Sequence, residues 1–173
     1  MKRILGLATA SGVAIALMAC GGKSKGIEYE DSSFGVSVKL PGGWKQVSKE
    51  TENDLTTVDF EKGDLSVSLM YSEIPGMEES GLTGEDFIDM MMEEMSGSSF
   101  DVTSEGSVYV DGVAGYQKTI QGTIEGSNGV ARMIAVMGYD KMTLIIFARD
   151  EVKSFSLTDR DDMDEFLRGV DFQ

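Results

Sequence analysis

The sequence predicts an α+β fold: a single domain with an antiparallel, mostly meandering β-sheet of about 6-7 strands sandwiched between helices. Three observations lead there. Runs with period-two alternation recur along the chain, as in Phe34, Val36, Val38 and Leu40 set against Gly35, Ser37 and Lys39. Two late runs, 130–137 and 142–148, are apolar on both faces, the pattern of strands covered on both sides. Two other segments, opening near Thr83 and Thr158, place their apolar residues at helical spacing. Two covered faces need two layers, so a helix is expected on each side of the sheet.

The chain opens with Met1, Lys2 and Arg3, followed by an apolar run over 4–18, the layout of a secretory signal. The run falls short of the roughly 20 apolar residues that span a bilayer. Leu17, Met18, Ala19 and Cys20 follow one another and resemble the lipobox of bacterial lipoproteins, with Met18 at a place where smaller or β-branched residues are commoner. The resemblance implies cleavage between Ala19 and Cys20 and a lipid on Cys20, so that 1–19 is a signal peptide, 20–27 a lipidated cysteine with a flexible tether, and 28–173 the folded domain. It also implies an extracytoplasmic address. Gly21, where inner-membrane retention usually calls for aspartate, points to the periplasmic leaflet of an outer membrane in a cell with two membranes, and otherwise to the outer face of the cell membrane.

Removing 1–19 leaves 154 residues (173 minus 19), enough for one sizeable core. The signal takes Lys2 and Arg3 with it, so 13 basic residues face 30 acidic ones and the net charge becomes −17. Such a surface excludes nucleic acid, whose affinity comes from lysine and arginine displacing counterions, and it repels anionic headgroups. The membrane is therefore met through the anchor alone, and the expected partner is an envelope protein. Cys20 is the sole cysteine, which leaves no internal disulfide, thiol nucleophile or cysteine-ligated metal.

Gly22 to Gly26 spells G-x-S-x-G, but in a tether and without any histidine to activate the serine, so it is no nucleophile elbow. A strand then runs through 34–40 and stops at Pro41, Gly42 and Gly43, after which Trp44, the only tryptophan, is expected to fold over the end of the core. The stretch from Phe34 to Trp44, followed by further strands, a helix and a long meander, resembles the PsbP-like superfamily, with DcrB-like lipoproteins nearest in lifestyle. That resemblance implies an antiparallel sheet between helices and a non-catalytic accessory role, with no catalytic residues to carry over.

The polar stretch 47–53 is read as a helical turn, and 55–60 and 65–71 as strands, with Leu65, Val67, Leu69 and Tyr71 on one face. Thr83 with Asp86 forms a capping signature for a helix running to about residue 96. On that helix Phe87, Ile88, Met91, Met92 and Met95 make one apolar stripe, while Glu85, Asp86, Asp89 and Glu93 gather opposite. Packing accounts for the methionines, so no copper(I) site is expected. The acids are harder to explain. Glu85 with Asp89, and Asp89 with Glu93, are like-charge pairs one turn apart, each costing roughly 0.2–0.5 kcal/mol. No lysine or arginine occurs between Lys62 and Lys118, although twelve acids do. Glu85, Asp86, Asp89 and Glu93 are therefore candidates for docking a basic partner, against a solvated face or a loose cation site as the other uses.

From 102 the chain meanders. Asp111-Gly112 is a hairpin signal, Ala114, Tyr116, Ile120 and Ile124 share a face of the next strand, and 125–129 turns it back. The final helix is expected to open at Thr158 and to cap the sheet through Met163, Phe166, Leu167 and Val170. Its acidic start at 159–164 resembles a calcium loop but has Asp164 and Val170 where glycine and glutamate are required.

Catalysis is not expected. Without histidine or a free cysteine the chain lacks the usual base and nucleophile, it has no phosphate-binding glycine loop, and carboxylate pairs among thirty acids are unspecific. No metal or cofactor is implied. Two functions compete: a lipid-anchored, non-catalytic adaptor of the cell envelope acting through its acidic surface, or a carrier or sensor of an apolar small molecule held between sheet and helix in a pocket lined by Phe87, Met91 and Met95.

Overall fold

The computed structural model describes residues 25–95, 98–124, 126–138 and 140–173. A hairpin of β1 (Ile27–Asp31) and β2 (Val36–Leu40) opens the domain, and β3 (Lys45–Glu52), β4 (Leu55–Lys62) and β5 (Leu65–Glu73) form a first meander. A helical turn α1 (Met77–Ser80) and the helix α2 (Gly84–Glu94) lead to a second meander of β6 (Ser99–Val110), β7 (Val113–Ile124), β8 (Ser127–Gly138) and β9 (Lys141–Asp150). The helix α3 (Leu157–Gly169) runs directly into β10 (Val170–Phe172). The two meanders join edge to edge through β5 and β9 into one seven-stranded antiparallel sheet of order β3-β4-β5-β9-β8-β7-β6. A second, three-stranded sheet has β2 at its centre, flanked by β1 and β10. The domain is thus mostly β.

Both faces of the large sheet are covered, as the two-faced strands demand. Ile134, Val136, Ile145 and Phe147 belong to one apolar cluster, and Met133, Ala135, Leu144 and Ile146 to the other. The layers differ from the expected pair of helices. One face carries α2, through the fully buried Ile88. The other carries the three-stranded sheet together with α3, so a helix sandwich overstates the helical cover. Within this second layer Phe166 of α3 is the central side chain, with ring centroids 5.3, 5.4 and 5.6 Å from those of Trp44, Phe60 and Phe147. Trp44 is buried as expected and donates its indole N–H to Glu165 at 2.9 Å. Lys62 of β4 reaches across to Asp162 at 2.8 Å and also to Glu165, which fastens α3 to the large sheet by charge as well as by rings.

Several elements depart from the sequence reading. The stretch 47–53 lies mostly in β3, at one edge of the large sheet, where nearly every residue is exposed and no alternation can arise. The last helix begins at Leu157, because Ser156 rather than Thr158 is the cap: the Ser156 hydroxyl accepts from Asp159 N–H at 3.1 Å and Asp159 accepts from Ser156 N–H at 2.8 Å. Val170 leaves that helix to begin β10, paired with Val38. Asp159 and Asp162, in the calcium-like run, serve the cap and Lys62. The Asp111-Gly112 hairpin forms as predicted, with φ of 49° and 76° at its two residues, a conformation that suits the twist of the flanking strands.

Candidate functional site

The candidate surface lies on and beside α2. Thr83 and Asp86 build the predicted capping box: the threonine hydroxyl accepts from Asp86 N–H at 3.2 Å, and the carboxylate accepts from Thr83 N–H at 3.0 Å. That hydrogen bonding, first from the Thr83 side chain, holds the Asp86 carboxyl below its ordinary pKa. Gly84 lets the first turn sit against β8, since a Cβ there would lie 3.1 Å from the Ala135 carbonyl. The helix ends at Glu94 with Met95 as its C-terminal cap residue, just short of the expected 96, which lies outside the described residues.

Phe87, Met91, Met92 and Met95 are partly buried and pack on the cluster that contains Ile88, Met133 and Leu144. A depression of about 380 Å³ opens instead at the start of α2. Leu82, Ala114, Gly115, Tyr116, Ala135 and Met137 line it, with Thr83, Gly84 and Glu85 along the helix side. Phe87, Met91 and Met95 are not among its lining residues.

The four candidate acids are placed differently from one another. Glu85, Asp86 and Glu93 are exposed, and among the described residues no lysine or arginine pairs with them. Glu85 instead takes the hydroxyl of Tyr116 as a partner. Asp89 is paired. Its Oδ1 lies 2.5 Å from the ammonium of Lys118 on β7, which also reaches Glu105 of β6 at 3.5 Å. The helix face therefore has a counter-charge after all, delivered from 29 residues away in sequence by the pairing of β7 under α2. Lys118 is 8% exposed at its side chain, against 48% for Asp89 and 51% for Glu105. Hydrogen bonding to Asp89 raises the lysine pKa more than burial lowers it. Tyr116 beside it is raised as well, by desolvation first and then by the Glu105 and Glu85 carboxylates.

A second polar cluster joins the two sheets. The Tyr71 hydroxyl donates to Asp31 at 2.8 Å and meets the hydroxyl of Tyr29, while Asp31 also caps its own turn through Ser33 and Phe34. The hydrogen bonds from Ser33 and then Tyr71 hold the Asp31 carboxyl low, and burial drives Tyr71 up. Its members are tied to one another, as a joint between layers requires. Among the described residues no group of three or more histidine, cysteine, aspartate or glutamate side chains is placed to hold a metal ion. No helix among them is long and apolar enough to cross a membrane. The lipobox, with Ala19 and Cys20, lies outside the described residues.

No protein-family model matches the chain, and no curated protein matches it in sequence. Solved structures do. The solution structure of cyanobacterial PsbP (CyanoP) from Synechocystis sp. PCC 6803 superposes with a TM-score of 0.57 at 19% identity, covering 91% of this chain and 99% of that one. The fold is PsbP-like. A protein of Bacteroides thetaiotaomicron VPI-5482 is similar at a TM-score of 0.51 and 10% identity, over 88% of this chain and 49% of that chain. At these identities the PsbP-like likeness concerns the fold alone, and the chemistry of α2 and its surroundings belongs to this sequence.

Proposed function

We propose that the chain is an extracytoplasmic lipoprotein, anchored through Cys20, that serves as a non-catalytic adaptor by docking a basic envelope protein on the outer side of α2. One observation carries the reading. Lys39, Lys49, Lys62 and Arg149 are engaged with carboxylates elsewhere and Lys118 with Asp89 and Glu105, while Glu85, Asp86 and Glu93 face solvent with no basic side chain among the described residues paired to them. Lys118 relieves the one-turn repulsion around Asp89, but three exposed carboxylates on one side of the helix still present a negative surface that suits a cationic partner. The lipobox resemblance and the likeness to DcrB-like lipoproteins support the anchor and the accessory role. The packing of Phe87, Met91 and Met95 onto the core favours the adaptor over a carrier with its ligand beneath α2.

The test is crosslinking in cells followed by affinity capture of the intact chain, with mass spectrometry of proteins and of extractable small molecules. A stoichiometric protein partner that is lost in the Asp86→Asn/Glu93→Gln variant is the expected result. The Cys20→Ala variant should leave the membrane fraction. Capture that ignores the neutralised helix overturns the docking surface, and a reproducible apolar ligand in place of a protein makes the chain a carrier.

A further inference from the structure

The depression at the start of α2 differs in chemistry from the helix face beside it. Its floor is built from small and flexible apolar residues, Ala114, Gly115, Ala135 and Met137, which leave room for a branched aliphatic side chain. On the same face of β6, directly across the strand pair from Ala114, stands Tyr109. It is 73% exposed, more than any other aromatic side chain among the described residues. A tyrosine beside an apolar floor is a common anchor of protein interfaces, where its ring also attracts cations. The surrounding charge is of one sign. Glu85 has no basic partner, and the single lysine nearby, Lys118, is occupied by Asp89 and Glu105. Glu85 and the half-exposed Glu105 beside Tyr116 disfavour an anionic occupant. A second copy of the chain, itself carrying −15, is a poor fit for such a site.

We propose that this depression seats a basic, aliphatic segment of the partner protein, with a leucine-like side chain on the floor and a neighbouring arginine between Tyr109 and Glu85. The proposal rests on the adaptor reading and deepens it by naming where the partner enters and what it must present. An aliphatic group alone would gain the floor, and a cation alone would gain Glu85. The geometry rewards a segment that carries both next to each other.

The test is titration of the isotope-labelled full chain, followed by amide chemical shifts, with a capped leucine–arginine–leucine tripeptide and with its glutamine-centred and glutamate-centred analogues. The arginine peptide should shift the amides of Gly84, Ala114, Gly115, Tyr116 and Ala135 in a saturable way. Affinity should fall about ten-fold in Tyr109→Ser and in Glu85→Gln, both exposed positions whose substitution leaves the core intact, and should fall with added salt. Glu50→Gln, an exposed acid on β3 at the opposite edge of the sheet, should bind the peptide as the parent does. Equal binding of the glutamine peptide, absence of shifts at those amides, or a Glu50→Gln loss as large as that of Glu85→Gln each overturns the proposal. So does self-association through Tyr109 in sedimentation. If the peptide fails while the cellular partner is still captured and still lost on neutralising Asp86 and Glu93, this inference falls and the adaptor reading stands. If capture fails in the parent chain, the adaptor reading falls with it.

Discussion

Removing Lys118 should cost far less than removing its two acids. The ammonium is almost fully buried, while Asp89 and Glu105 are each about half exposed. In Lys118→Met the two carboxylates stay solvated. The variant loses charge-assisted hydrogen bonding worth about 1.5–3 kcal/mol but also sheds the desolvation of a buried cation, which is of comparable size. The net change should lie within about 1 kcal/mol, or roughly 2–4 °C in Tm for a domain of this size. In Asp89→Asn/Glu105→Gln the ammonium is left buried without a carboxylate, which typically costs about 3–5 kcal/mol. Urea denaturation followed by circular dichroism measures both. The pH dependence separates the cases further. In the parent, the lysine pKa is raised by folding, so its contribution is complete below the unfolded lysine value and is lost as alkaline pH passes the folded one. In the double variant burial lowers that pKa instead, and stability should rise as pH climbs toward about 10. A Lys118→Met penalty equal to or larger than that of the double variant would refute the reasoning. The same asymmetry explains why Asp89 is left out of the docking variants: neutralising it disturbs the fold as well as the surface.

Phe166→Ala should destabilise by about 3–5 kcal/mol, because the ring is fully buried against Trp44, Phe60 and Phe147, and the urea midpoint reads this directly. Ser156→Ala should cost about 1 kcal/mol by removing the α3 cap, with Ser156→Asn close to the parent in the same assay. Asp31 is held low by Ser33 and Tyr71, so the unfolded chain takes up its proton more readily. Stability should be complete above the ordinary aspartate pKa and fall as the pH drops through the folded value. Asp31→Asn should flatten that acid limb of the urea midpoint against pH.

What the sequence made legible follows from how much each element buries. Strands 65–71, 130–137 and 142–148 carry unambiguous patterns because they form β5, β8 and β9 in the middle of the large sheet, where one or both faces are packed. The edge strand β3 buries almost nothing and so shows no period. The small sheet was only partly visible: its central strand β2 was read from the alternation over 34–40, but β1 was not assigned and β10, three residues directly after α3, is too short to establish an alternation. With two of its three strands unread, the second layer was expected to be α3 alone rather than α3 together with a sheet. At the candidate site the caps and the two faces of α2 were readable, because both are local. The Lys118 counter-charge was not found by scanning the helix neighbourhood, yet it had a signal. Lys118 falls in phase with Ala114, Tyr116, Ile120 and Ile124, and a lysine within a face assigned to the core must have carboxylate company from the layer above it. Tyr109 was equally readable as the odd residue between the inward Val108 and Val110.

If Cys20 carries the lipid, the tether decides which way α2 looks. From Cys20 to the start of β1 at Ile27 is seven residues (27 minus 20). Seven residues reach at most about 25 Å when fully extended. A compact domain of about 150 residues has a radius of gyration near 15 Å and hence a thickness of roughly 38 Å. β1 packs in the cluster on one face of the large sheet and α2 covers the opposite face. Turning α2 onto the bilayer would require the tether to run almost fully extended along the side of the domain, which disfavours that orientation. On that anchor the acidic helix and the groove beside it would point into the aqueous compartment or sideways along the membrane. Because Cys20 is the only cysteine, Met90→Cys on the exposed side of α2 gives a single reactive thiol if Cys20 is blocked by a lipid. A spin label there should be relaxed by a water-soluble paramagnet and shielded from one dissolved in lipid. The opposite ranking would show α2 lying on the membrane, and both the tether geometry and a partner reached through water would then be wrong.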